Sequence, residues 1–218
     1  MKKDTISLIF EESKDTFLSK GFKIKKNPQG GIIFNLEKEN LFLKGGFGFF
    51  DDSYPSILYM GTIQFFIKLF EVENIYEIFF EKHSCSLINN SSTVGYSDIE
   101  WQDSHTFNIM NSLDNISLRN YTKEVLTRFE TFILPLIEKY QSIHELAELF
   151  RNDPQQFKRI VTDNRNMKYL LILKLAKSDL FEKEYQIKDE FLKSLLNENN
   201  SNVELKAFYN VFKEIGKL

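Results

Sequence analysis

Apolar residues follow two different periods along this chain, and the switch between them divides it. Ile6, Ile9, Phe10, Phe17 and Leu18 recur at steps of three and four. That spacing predicts an amphipathic helix with Asp4 as its N-cap and Gly21 as its terminator. From Phe22 the period drops to two. Phe22, Ile24 and Lys26 alternate with lysines, residues 27–31 carry a Pro-Gln-Gly-Gly turn signal, and Ile32, Phe34 and Leu36 return. The pattern is that of a β-hairpin. A third strand is predicted from Leu41 to about Phe50, where Gly45, Gly46 and Gly48 suggest a bulge. After Pro55 a long strand follows. Tyr59, Ile63, Phe65, Ile67 and Leu69 share one face and Leu58, Met60 and Phe66 the other, as in a strand covered on both sides.

Val72, Ile75, Tyr76, Phe79 and Phe80 return to helical spacing. Residues 84–104 are polar and read as a long loop or irregular hairpin, and residues 106–110 as a short strand. From Ser117 onward every periodic segment is helical. Leu118, Tyr121, Val125, Phe129, Phe132, Leu136 and Tyr140 run for about six turns, with Pro135 placed to kink them. Ser142 and Glu145 form a capping box, and Asp153-Pro154 supplies an N-cap and first-turn proline. Further helices are expected over 167–176, 180–196 and 203–215. No fixed repeat period emerges in this half.

Strands early and helices late predict an α+β fold. The expected order is an N-terminal helix, a mainly antiparallel sheet of four to five strands with an inserted helix, then an all-helical C-terminal half. The natural division is residues 1–116 (sheet) and 117–218 (helices), the second packed on the first or forming its own small bundle.

Composition narrows the setting. Among 218 residues, 42% are hydrophobic, with 22 Phe and 9 Tyr, which is ample for a packed core. The single cysteine, Cys85, excludes an intrachain disulfide. The N-terminus lacks the apolar run of a signal peptide, because Glu11, Glu12, Lys14 and Asp15 interrupt it. The most apolar stretch, residues 57–70, contains Gln64 and Lys68 and is too short for a membrane span. A cytoplasmic protein without a membrane partner is expected.

Charge matters through its distribution. The chain carries −3 overall, but residues 51–116 hold two Lys and ten Asp or Glu, a net −8. Their neighbours are near neutral.

Candidate chemistry is sparse. Lys44-Gly45-Gly46-Phe47-Gly48 leads into a strand pattern rather than a helix, so it reads as strand distortion and not as a phosphate loop. His83, Cys85 and His105, with Asp98, Glu100 and Asp103 between them, are the only clustered metal-ligand types, and their spacing fits no common zinc site. The same Cys and His residues could supply a nucleophile and base for an enzyme built on the loop 84–105. Lys20, Lys23, Lys25 and Lys26 form a basic cluster, small for a nucleic-acid face and equally explained as a solvated strand. Neither metal nor cofactor is expected.

The acidic segment is the feature with functional content. If its surfaces converge, Asp98, Glu100 and Asp103, supported by Glu73 and Glu77, make a negative patch with Trp101 as an aromatic anchor. Such a patch steers and docks a basic protein partner.

The segment Phe17-Leu18-Ser19-Lys20-Gly21-Phe22-Lys23, a helix end running into short strands, resembles the start of several small uncharacterised bacterial α+β families. Members of such families act as cytoplasmic immunity partners of polymorphic or contact-dependent toxins. The likeness covers roughly the first 50 residues and carries over no functional residue. It implies a non-enzymatic binding role, with a basic toxin domain as the partner.

Overall fold

A computed structural model describes residues 2–27, 31–51, 57–60, 63–85, 92–98, 109–110, 115–161 and 167–218. The architecture is α+β. Helix α1 (Lys2–Ser19) comes first, then strands β1 (Lys23–Lys26), β2 (Gly31–Lys38), β3 (Leu41–Asp51), β4 (Ile57–Met60) and β5 (Gln64–Leu69). Helix α2 (Phe70–Lys82) is inserted before β6 (Val94–Ser97) and β7 (Ile109–Met110). The remainder is helical: α3 (Asn115–Arg128), a π turn (Phe129–Ile133), α4 (Leu134–Lys139), α5 (Ile143–Asn152), α6 (Pro154–Ile160), α7 (Lys168–Leu175), α8 (Phe181–Glu198) and α9 (Val203–Lys217). The sheet runs β1-β2-β3-β4-β7, with β5 pairing with β3 and β6, and its β1/β2, β2/β3, β3/β4 and β4/β7 ladders are antiparallel.

The chain divides into two compact units: Met1–Ile67 with Gly95–Glu138, and Lys68–Val94 with Lys139–Leu218. This division differs from a cut at residue 116. It falls inside β5 and β6 and assigns α2 to the later helices.

In the first unit, α1 packs against β1, β2 and α3. Gly21 ends α1 at φ +82°, a conformation that costs glycine little. Asp4 lies inside the helix rather than capping it. The core is a phenylalanine cluster. Phe17 stacks on Phe34 at 4.8 Å and meets Phe129 at 4.4 Å, and Phe22 meets Phe34 edge-on at 5.5 Å. Offset and edge-to-face arrangements of this kind satisfy the ring quadrupoles as well as burying area.

Three sequence expectations change here. The glycines of β3 make no bulge in the β2 ladder, which keeps one register from Gly31↔Gly48 to Lys38↔Leu41. A Cβ on Gly45 would lie 2.3 Å from the Phe34 ring and 2.6 Å from the Gln64 carbonyl oxygen. The glycine makes room for close approach. The long strand is two, β4 and β5, and β5 is covered on one face only, with Phe66 exposed while Phe65, Ile67 and Leu69 are buried. The kink expected at Pro135 takes the form of the π turn just before it. Leu134 N–H donates to Phe129 O, five residues back, which widens the helix where a proline ring would otherwise press on the preceding turn.

In the second unit α7 is the central helix. Leu170, Leu171, Ile172 and Leu173 are all buried, the signature of a helix surrounded on every side. It packs against α2, α5, α8 and α9. The caps follow the sequence reading: Ser142 accepts from Glu145 N–H, and Asp153 from Gln156 N–H with Pro154 behind it. Among the described residues no helix is long and apolar enough to cross a membrane.

Candidate functional site

The described acidic residues of 51–116 separate into internal and external groups. Glu73 lies on the inner face of α2 with Val72, Tyr76 and Phe80 and is 1% exposed. Its Oε2 sits 3.0 Å from the ammonium of Lys168, the first residue of α7, which is equally buried. Thr93 Oγ1 donates to Glu73 Oε1 at 2.7 Å and accepts from Leu69 N–H at 3.0 Å. Lys168 Nζ also donates to Ser92 O at 2.9 Å and lies 5.1 Å above the Tyr76 ring. A charge pair this deep is tolerable because each charged atom has a partner.

Asp98 is likewise buried. Arg128, the last residue of α3, donates from Nε to Oδ2 at 2.8 Å and from Nη2 to Oδ1 at 3.1 Å. Tyr96 Oη is 3.3 Å from Oδ1, and the guanidinium lies 3.6 Å from the centre of the Phe132 ring. Glu73 and Asp98 therefore belong to internal ion pairs and present no charge to a partner. Each of these two charges is balanced by a cation from far along the chain. Glu100, Trp101 and Asp103 lie outside the described residues, as does His105.

Glu77 remains at the surface, paired with Lys68 at 3.0 Å. Beside it the outer face of α2 carries a feature that charge counting missed. Ile78 is 59% exposed at the centre of that face. Asn74 and Lys82 lie one turn to either side of it, and Glu71 and Glu81 flank it, all four exposed. Glu71 and Glu81 make no ion pair among the described residues, whereas Lys82 is engaged by Glu214 at 3.1 Å. The face is thus an aliphatic centre bordered by two carboxylates without an ion pair among the described residues and by Lys82. The signal in sequence was the phase: Ile78 falls opposite Tyr76 and Phe80 on a 3.6-residue wheel.

The cysteine site has a different character. Burial pushes the Cys85 thiol above its ordinary pKa, and the charge of Glu204 adds to the effect. A nucleophilic cysteine needs the opposite shift. His83 is 3.4 Å from Glu214, whose carboxyl is held down to about 2, first by the hydrogen bond from Lys82 and then by that from Lys217. Among the described residues no group of three or more His, Cys, Asp or Glu side chains is placed to hold a metal ion. Lys44 to Gly48 lie within β3, without the helix a phosphate loop requires. Lys23, Lys25 and Lys26 line the exposed edge strand β1, where charge discourages pairing with a second sheet.

No protein-family model matches the chain, and no curated protein or solved structure matches it.

Proposed function

We propose that this chain is a protein-binding module that docks a basic partner on the outer face of α2, acting in the cytoplasm as an immunity protein that covers a toxin's basic active-site cleft. The observation that carries the reading is Ile78, an exposed aliphatic side chain bordered by Glu71 and Glu81. An apolar centre with a charged rim is the layout of a binding patch. A rim with an excess of one sign favours a partner of the other and speeds the encounter at low salt. Glu77 contributes to the same border, part-neutralised by Lys68. The raised thiol of Cys85 weighs against the enzyme alternative. The likeness of residues 17–23 to families with immunity members adds the biological setting.

The test is a folded surface variant, Glu71→Lys with Ile78→Asp and Glu81→Lys, compared with the parent chain in the native cell. All three side chains are exposed, so thermal unfolding should be little changed. A basic protein that co-purifies with the parent is expected to be lost from the variant. Undiminished co-purification with the folded variant overturns the proposal.

A further inference from the structure

A second exposed apolar pair lies on α8. Ile187 and Phe191 are 54% and 53% exposed, one turn apart on the same side of the helix. The buried residues of α8, Phe181 and Leu192, lie on another face. With 3.6 residues per turn, Lys183 and Glu190 flank the stripe on one side and Glu184 and Lys188 on the other. Each flank therefore carries one charge of each sign, in opposite order.

We propose that α8 pairs with α8 of a second copy of this chain, antiparallel and crossing at Ile187. In that register a two-fold axis brings like flanks together. Lys183 falls within about one residue's rise of the second copy's Glu190, and Glu184 within about two of the second copy's Lys188. Each pairing occurs twice, so Lys183 and Glu190 set opposite charges along one border of a centre of two Ile187 and two Phe191 side chains; on the other border Lys188 lies as near the second copy's Lys188 as its Glu184, and the choice of register rests on the Lys183 border. Crossing two residues further on, at position 189, would part Lys183 from the second copy's Glu190 by about five residues' rise and set Glu190 against Glu190. The charge pattern thus selects the register, as flanking charges do in helical pairs generally. Antiparallel helices also oppose their dipoles, which a parallel pair would align. The helix is about 27 Å long. A two-helix contact of that length sits at the small end of specific interfaces. The surface is separate from the outer face of α2, so the two proposals stand or fall independently.

Disulfide trapping in the full chain, with Cys85→Ser to remove the native thiol, reads the register directly. Ile187→Cys is expected to give a covalent dimer under mild oxidation. Phe191→Cys is expected to stay monomeric, because the two 191 positions lie about 12 Å apart along the antiparallel pair. Trapping at both positions means a parallel pair, and trapping at neither means no pair; each overturns the proposal. Sedimentation of chains with the native residues at these two sites supplies the second arm. Lys183→Glu should weaken self-association about tenfold, and adding Glu190→Lys should restore it. A dimer indifferent to Lys183→Glu, or one the double exchange fails to restore, also overturns it.

Discussion

Asp98 accepts two hydrogen bonds from one edge of the Arg128 guanidinium, whose central carbon lies over the Phe132 ring, 3.6 Å from its centre. The pair holds the end of α3 at the point where the helix widens into its π turn. Asp98→Ala leaves a part-buried guanidinium without its acceptor and is expected to cost about 2–3 kcal/mol in urea unfolding. Arg128→Lys keeps the charge but loses the fork and the ring contact, and should cost about 1–2 kcal/mol. Unfolding curves unchanged by both would show the pair to be incidental.

Glu73 and Lys168 should behave as one unit. Glu73→Gln or Lys168→Met alone strands a buried partner and is expected to lose about 3–5 kcal/mol. The double substitution should cost well under the sum, because nothing charged is left unpaired. Additive losses in a double-mutant cycle would mean that the two charges are not coupled.

Glu214 sets an acid limb. Its pKa is held below the ordinary 4.5, at about 2, by Lys82 and Lys217. A depressed carboxyl contributes stability that is present above pH 4.5 and lost as the pH falls toward 2. Glu214→Gln should therefore flatten the fall in Tm across that window while changing its slope little above pH 6. An unchanged acid limb in the variant would assign the loss to other groups.

Cys85 should alkylate slowly. Its raised pKa leaves less thiolate at neutral pH than a free cysteine has. Iodoacetamide labelling at pH 7.5 is expected to run below the free-thiol rate, and Glu204→Gln should speed it by removing the nearby charge. Labelling faster than the free amino acid would revive a nucleophilic role.

Gly45→Ala should cost at least about 2 kcal/mol, since its Cβ would meet the Phe34 ring and the Gln64 carbonyl. A neutral result by chemical denaturation would mean that the sheet yields there.

Gly45 also shows where sequence reading loses information. A glycine that permits a bulge and one that permits a ring to cross the strand look alike in a period-two pattern, and only the neighbouring strand distinguishes them. The helices were legible because their signals are local: Asp153-Pro154 and Ser142 carry their own capping chemistry. The acidic patch was the opposite case. A charge count over residues 51–116 does not record which face each carboxylate occupies, or that Lys168 and Arg128 come from far along the chain to meet two of them. For Glu73 a local warning existed, since it shares the helical phase of Val72, Tyr76 and Phe80. For Asp98 none did, its partner lying 30 residues away. Ile78 leaves no mark on a charge count, because an isoleucine carries none.

The docking face is tested most directly by placing a photo-crosslinking amino acid at position 78 in the native cell, with position 127, an exposed site on α3, as the control. A single basic protein joined through position 78 and not through 127, with the adduct lost on Glu71→Lys and Glu81→Lys, is the expected result. No discrete adduct at 78, or equal adducts at both positions, would contradict a partner-binding role for α2.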